Sequence, residues 1–176
     1  VGYDEINAMA ADAPIGSSGL VVLPFGNGAE RSLENRDIGA SIHGLNFNVH
    51  TRSHLLRAGQ EGVVFALAYG VEIMRRTGME LRTVKAGRAN MFQSEIFRTA
   101  FATTTQTTIE LYETDGSAGA ARGAGIGAGI YSTPAQAFEG LAVLETVEPD
   151  QALKARYQEA MHHWQGTLEE TLDSGD

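Results

Sequence analysis

The sequence predicts an α/β protein, a mixed sheet flanked by helices, and three observations predict it. After residue 80, strand-like and helix-like segments alternate in the order strand, helix, strand, helix, the pattern of parallel pairing across crossover helices. Short apolar runs bounded by Pro and Gly, such as Leu20-Val-Val-Leu23 before Pro24, have the form of buried strands. A long stretch between residues 50 and 78 carries apolar residues three and four apart, the period of a helix face.

In chain order, Tyr3 to Ala13 is helix-like, with Ile6, Met9 and Ala10 on one face and Pro14 and Gly16 as its stop. Leu20–Leu23 is a strand, and Phe25 to Asp37, rich in Gly and Asn, is a loop. Ala40–Leu45 is a second strand. His50-Thr51 or Ser53 caps a helix that runs to Thr77 and ends at Gly78. Leu56, Gly59, Val63, Ala66, Gly70 and Ile73 form its stripe, while Val64, Phe65 and Val71 lie off it, so more than one side should be covered. The glycines of this helix make sense where another backbone comes close. Leu81–Ala86 is a strand, Gly87–Asn90 a turn, and Met91–Ala102 a helix. Thr107–Tyr112 is a strand, Ser117–Tyr131 a helix, Pro134–Phe138 a short helix, and Asp150–Leu168 a final amphipathic helix before a frayed tail, Glu169–Asp176. No element is assigned between Phe138 and Asp150.

At 176 residues the chain fits one domain (1–176), with a lead-in helix and loop (1–19), a core (20–147) and a C-terminal helix and tail (148–176). Its 13 Lys+Arg against 22 Asp+Glu give a formal charge of −9, which repels a phosphate backbone and excludes a nucleic-acid binder. The absence of cysteine removes disulfide, thiol and Cys-ligated zinc chemistry. No run approaches the roughly 18 apolar residues of a membrane helix, and no signal-peptide pattern is present. The chain opens at Val1 and runs straight into a helical pattern, which reads as the middle of a larger, cytoplasmic protein.

Four segments have chemistry to offer. The turn Lys85-Ala-Gly-Arg-Ala-Asn90 joins a strand to a helix through small residues, so its amides can receive a base, a ribose or a phosphate. On pattern alone, close packing outweighs that reading. Gly116 to Gly129 contains Gly123-Ala-Gly125-Ile-Gly127, but Gly119, Gly123 and Gly127 recur every four residues, which suits a packed helix face better than a dinucleotide loop. No Gly-Lys-Ser/Thr follows a glycine run, so a Walker loop is excluded. His50 and His54 could share a helix face and His162-His163 lie side by side, but no metal-binding pattern is present, and no metal ligand is assigned. Gly28-Ala-Glu-Arg31 is either an ion pair pinning its loop or a group facing a cleft.

Taken in order, these segments resemble the C-terminal half of the FGGY carbohydrate kinases, close to the xylulokinases among them. Leu23-Pro24-Phe25 with Gly28-Ala-Glu-Arg31 is similar to their Leu-Pro-Tyr and Gly-Glu-Arg-Thr loop. Ala40-Ser-Ile-His-Gly-Leu45, followed by His54-Leu-x-x-Ala58 and Glu61-Gly62, resembles their second signature, with Gly59 and Gln60 as departures. Ala86-Gly-Arg-Ala-Asn90 stands at their adenosine loop, with Ala86 for a glycine. Gly116-Ser-Ala-Gly-Ala-Ala-Arg-Gly-Ala124 is similar to the helix that follows.

The resemblance implies a partial actin-like, ribonuclease-H-like ATPase domain that closes with a second domain on ATP, Mg2+ and a sugar. It makes Ala86, Gly87, Arg88 and Asn90 the nucleotide contacts and Phe92 a pocket wall, and so reverses the preference for packing at that turn. The general-base aspartate and the phosphate loop of the family precede the first residue here, so no catalytic residue is assigned and the fragment alone should be inactive. The expected partners are the missing N-terminal domain and a ketopentose, D-xylulose first. A noncatalytic nucleotide-sensing or assembly module on the same fold is the alternative. A sheet lacking its opening strands leaves an edge bare, so self-association beside Leu81–Ala86 or Thr108–Tyr112 is expected.

Overall fold

Residues 2–174 are described by the computed structural model, and they form two sheets and six α-helices. The helices are α1 (Tyr3–Ala11), α2 (Arg52–Arg76), α3 (Glu95–Thr105), α4 (Gly116–Gly127), α5 (Pro134–Ala137) and α6 (Lys154–Ser174). The strands are β1 (Val21–Phe25), β2 (Gly39–His43), β3 (Thr83–Gly87), β4 (Thr108–Tyr112) and β5 (Val143–Val147). β1 and β2 pair antiparallel, with Pro24 opposite Ala40; a two-stranded ribbon has only edge strands, where proline is tolerated. In the second sheet β4 lies between β3, parallel to it, and β5, antiparallel to it. The fold is the expected α/β arrangement, a mixed sheet flanked by helices.

Side chains alternate along β1 so that Val21, Leu23 and Phe25 point into the core. There they meet Trp164 of α6, whose ring lies 6.0 Å from Phe25, 6.3 Å from Phe65 and 6.4 Å from Tyr69. The indole N–H donates to the Val22 carbonyl at 2.9 Å, so the largest core side chain leaves no polar atom unpaired. Gly62 lies where β1 crosses α2; a Cβ there would run into the Val22 carbonyl.

Five expectations are corrected. Of the sides of α2 expected to be covered, the one with Val64, Phe65 and Val71 is buried, together with Ala58, Glu61 and Ala68, but all six residues of the Leu56–Ile73 stripe are half-exposed. Nor do Gly59 and Gly70 receive a neighbouring backbone; Gly62 does. The helix expected from Met91 begins at Glu95, because Asn90 takes a left-handed φ of 51° and a 3-10 turn, Asn90–Gln93, precedes the Ser94 cap. Gly119, Gly123 and Gly127 have open space where a Cβ would stand, and the tight glycine of α4 is Gly125, against the Tyr131 ring. The tail expected to fray stays helical to Ser174, because Leu172 is buried in the core; residues 175 and 176 lie outside the described residues.

Nothing in the sequence signals β5. Val143 and Leu144 are exposed, so the segment shows no alternation. Its strand character comes from β4, with Leu111 opposite Glu145 and a register irregularity at Leu111/Tyr112.

Candidate functional site

β3 and β4 are parallel and end level with each other, Gly87 opposite Tyr112, so the turn after each strand opens on the same side of the sheet. Crevices for ligands form at such carboxyl ends. After β3 the chain bends through Arg88 and Ala89 into the 3-10 turn; after β4 it passes Thr114 and enters α4 at the Asp115 cap. The two turns touch at Gly87, where a Cβ would collide with the Thr114 carbonyl oxygen.

The bend is held by backbone. Arg88 N–H donates to the Tyr112 carbonyl at 3.0 Å, Ala89 N–H to Gly87 at 2.8 Å, and Phe92 N–H to Ala89 at 3.1 Å. Among the described residues no side chain caps its amides. Beside it lies an open hollow of about 410 Å³. Its lining brings together Ala86, Gly87, Ala89 and Asn90 of the bend, Val63 and Leu67 of α2, Met91, Phe92 and Phe97, and Asp115 and Gly116 after β4. Phe92 stands edge-on to Phe97, centroids 5.2 Å apart, which fixes that part of the lining.

Of the four expected site residues, Ala86, Gly87 and Asn90 line this hollow, whereas the exposed side chain of Arg88 does not. Asp115 and Gly116 belong to the hollow and were not anticipated; the signal that could have found them is the parallel pairing, which brings the residues after both strands together. Asp115 Oδ1 accepts from the Ser117 hydroxyl at 2.7 Å and the Ala118 amide at 2.9 Å. The Ser117 hydroxyl, then the Ala118 amide, hold its carboxyl below the ordinary aspartate value. Lys85 is exposed outside the hollow, its Nζ 5.8 Å from the Tyr112 ring centre and 3.6 Å from Glu110 Oε2. The Tyr112 hydroxyl, then Glu110, raise its ammonium above the ordinary lysine value, so it stays charged at neutral pH.

A second, larger hollow of about 940 Å³ runs along α2 toward β3. It exposes Val63, Ala66, Gly70 and Ile73 of the sequence stripe, with Leu81 and Val84 beside them. Glu30 and Arg31 stand at its margin, and they form no ion pair with each other among the described residues. Of the two readings of that loop, the one with its charges facing a cleft fits.

The Glu61-Gly62 signature serves the scaffold. Glu61 Oε1 accepts from Arg57 Nε at 2.8 Å, and Oε2 from the Gly16 amide at 3.0 Å and the Ser17 hydroxyl at 3.5 Å. Arg57 also donates to the Ala13 carbonyl (3.1 Å) and the Tyr157 hydroxyl (3.2 Å), tying the segment after α1, α2 and α6 together. Burial pushes the Glu61 carboxyl up against the pull of Arg57, and pushes the Tyr157 phenol up to about 12. His50 and His54 are held near the 16–19 turn, His50 Nε2 donating to the Ser18 carbonyl at 3.2 Å. His54 lies 3.3 Å from the Ser18 hydroxyl.

Known proteins share this fold. The model of the FGGY family of carbohydrate kinases, C-terminal domain, matches residues 2–131. A xylulose kinase of Haemophilus influenzae is 37% identical over 95 residues, 52% of this chain and 19% of the relative. An L-xylulose/3-keto-L-gulonate kinase of Escherichia coli is 30% identical over 168 residues, 94% of this chain and 33% of the relative. The crystal structure of a xylulose kinase from Rhodospirillum rubrum superposes with a TM-score of 0.74 at 25% identity, covering 97% of this chain and 35% of that one. The fold is also that of a Plasmodium falciparum glycerol kinase solved with ADP, TM-score 0.73, 24% identical, covering 97% and 34%. The chain thus spans at most about a third of the length of these relatives. With an actin-like ATPase fold and a match across most of its length, the chain belongs to the C-terminal domain of the FGGY family of carbohydrate kinases.

Proposed function

We propose that this chain is the nucleotide-side portion of an ATP-dependent sugar kinase, and that the hollow beyond β3 seats the adenosine of ATP. The complete protein moves the γ-phosphoryl group to a sugar hydroxyl, with D-xylulose the first substrate to try. The observation that carries the reading is the hollow itself: an uncapped backbone bend at the carboxyl end of a parallel strand, facing a cavity of about 410 Å³ with apolar walls. None of its lining residues is a lysine or arginine. Such a lining suits a flat, neutral base and ribose hydroxyls, and leaves the phosphates to groups elsewhere. The contacts are Ala86, Gly87 and Asn90; Arg88, outside the lining, is assigned a nucleotide contact only through the family motif.

Asp115, the carboxylate at the hollow, is already engaged by Ser117 and Ala118, and among the described residues no three His, Asp or Glu side chains converge. These residues do not form a seat for Mg2+, which we assign to the nucleotide's phosphates and the rest of the kinase. The proton acceptor for the sugar hydroxyl is likewise assigned outside this chain, so the chain alone should not turn over sugar. The open stripe of α2 and the free edge of β3 are where the remaining part of the kinase packs.

Amide NMR of the chain titrated with ADP tests the seat. Shifts confined to residues 86–92 and 115–117 are expected, with weak affinity. Shifts that map to the larger hollow, or none at saturating ADP, would overturn it. Assays of the whole kinase on pentuloses and polyols test the reaction.

A further inference from the structure

We infer that Arg98 of α3 is a positioning residue for the nucleotide seat, holding Asn90 in its binding conformation from outside the hollow; the inference rests on the adenosine reading above. Asn90 is the lining residue of the bend that adopts a left-handed backbone, φ 51°, a conformation that costs an L-residue about 1 kcal/mol and persists where the surroundings enforce it. Two fastenings enforce it. Upstream, Arg88 N–H is tied to the Tyr112 carbonyl of β4 at 3.0 Å. Downstream, Arg98 turns back along α3 and its Nη1 donates to the Phe92 carbonyl at 2.9 Å and the Gln93 carbonyl at 3.2 Å.

The guanidinium is itself anchored. Its Nη2 lies 3.3 Å from Glu145 Oε1 on β5, opposite Leu111 of β4 in the ladder. Both ends of the Arg88–Gln93 loop are therefore fastened to adjoining strands of one sheet, one through backbone and one through the Arg98–Glu145 pair. Ser94 adds a third point: it caps α3 at Phe97 N–H and its hydroxyl donates to Gln60 Oε1 at 2.6 Å. Arg98 is 7% exposed, and its Nε finds no acceptor. Its partner Glu145 keeps 34% of its side chain exposed, so removing the cation leaves that carboxylate to water and not stranded in the core, and the stability cost stays below that of breaking a fully buried pair. What it supplies is a rigid planar group that holds Nη1 on two carbonyls while Nη2 faces Glu145, a fixed arrangement that a flexible lysine ammonium reproduces only in part.

A loop whose competent conformation is populated a fraction of the time binds with its affinity reduced by that fraction. The test compares Arg98→Met, Arg98→Lys, Glu145→Gln and Asn90→Ala, reading ADP affinity by amide NMR, ligand-free hydrogen exchange at the Phe92 and Ser94 amides, and melting temperature. Arg98→Met should weaken ADP about tenfold and speed exchange at both amides with little change in melting, because the loop leaves its competent state most of the time. Arg98→Lys should recover part of the loss, and Glu145→Gln should shift both readouts in the same direction by less. The inference is overturned if Asn90→Ala weakens ADP while Arg98→Met, Arg98→Lys and Glu145→Gln do not. It also falls if their losses only follow a lowered melting temperature. If ADP shifts never appear at residues 86–92 in the unaltered chain, the seat has failed instead, and the exchange rates alone decide whether Arg98 holds the turn.

Discussion

Gly87→Ala strikes the point where the two turns of the proposed seat touch. A Cβ at residue 87 collides with the Thr114 carbonyl oxygen, comes within 2.9 Å of its carbon, and lies 3.4 Å from Asp115 Cα. All three are backbone atoms, so no rotamer change relieves the overlap; the segment from Thr114 into α4 must back away. Forcing extra volume into such a contact costs about 1–3 kcal/mol. For a chain of this size, each kcal/mol lowers melting by about 2–4 °C, so a fall of roughly 2–12 °C is expected. The displaced segment carries Asp115 and Gly116 of the hollow's lining, so ADP shifts at residues 86–92 should weaken even below the melting range. Calorimetry and the amide titration read the two effects. An alanine variant that melts like the unaltered chain and binds ADP as well would refute both the close approach and the seat.

The remaining expectations concern the scaffold and its open edge. Glu61→Gln leaves the Arg57 cation buried with a partner that has one oxygen in place of two, and should lose about 3–5 kcal/mol in urea unfolding; Arg57→Met with Glu61→Leu together should lie nearer the unaltered chain than the single change. Tyr157, raised to about 12 from an unfolded value of 10, contributes stability that is complete below pH 10 and is lost as pH rises through 12. The two units amount to about 3 kcal/mol, and Tyr157→Phe should flatten that alkaline loss in denaturation curves taken from pH 9 upward. Self-association was expected beside β3 or β4, but β4 is covered on both sides, which leaves the free edge of β3. Arg82 O and Arg88 N face β4, so Lys85 between them faces outward; sedimentation should show concentration-dependent association that Lys85→Pro abolishes while the β3–β4 ladder survives.

What the sequence made legible follows from where each local signal competes with tertiary structure. β1, α2, β3 and β4 carry their own periodicity and stops, and they stand within a residue or two of expectation. The polarity of α2 did not: its apolar stripe looked like a core face, yet the true core face includes Arg57, Gln60 and Glu61, polar residues made buriable by partners from distant elements. Hydropathy cannot register those partners. β5 was invisible because its apolar residues Val143 and Leu144 are exposed and its identity comes from the strand beside it. The hollow of the candidate site was half legible. Motif order pointed to Ala86, Gly87 and Asn90, which line it, while Asp115 and Gly116 needed the strand pairing, and Arg98 needed the side-chain geometry of a helix that begins later than its sequence suggests.

The exposed stripe and the neutral hollow point to one division of labour. A helix face that repeats apolar residues over Leu56–Ile73 but leaves them half-exposed is an unfinished contact, and the unpaired side of β3 lies beside it. The proposed adenosine seat lacks any lining cation, so it cannot by itself hold a triphosphate. A surface that completes the sheet along β3 would also come up against the open side of the seat, since Val63, Leu67 and Phe92 line both hollows. On this reading the phosphate-handling groups arrive on the same body that covers the stripe. Nucleotide affinity and completion of the sheet are then coupled: substitutions that block packing on the stripe, such as Ala66→Glu, should weaken ADP binding in the whole kinase and leave the weak binding of this chain alone unchanged. Equal losses in both would mean that the stripe belongs to the seat itself.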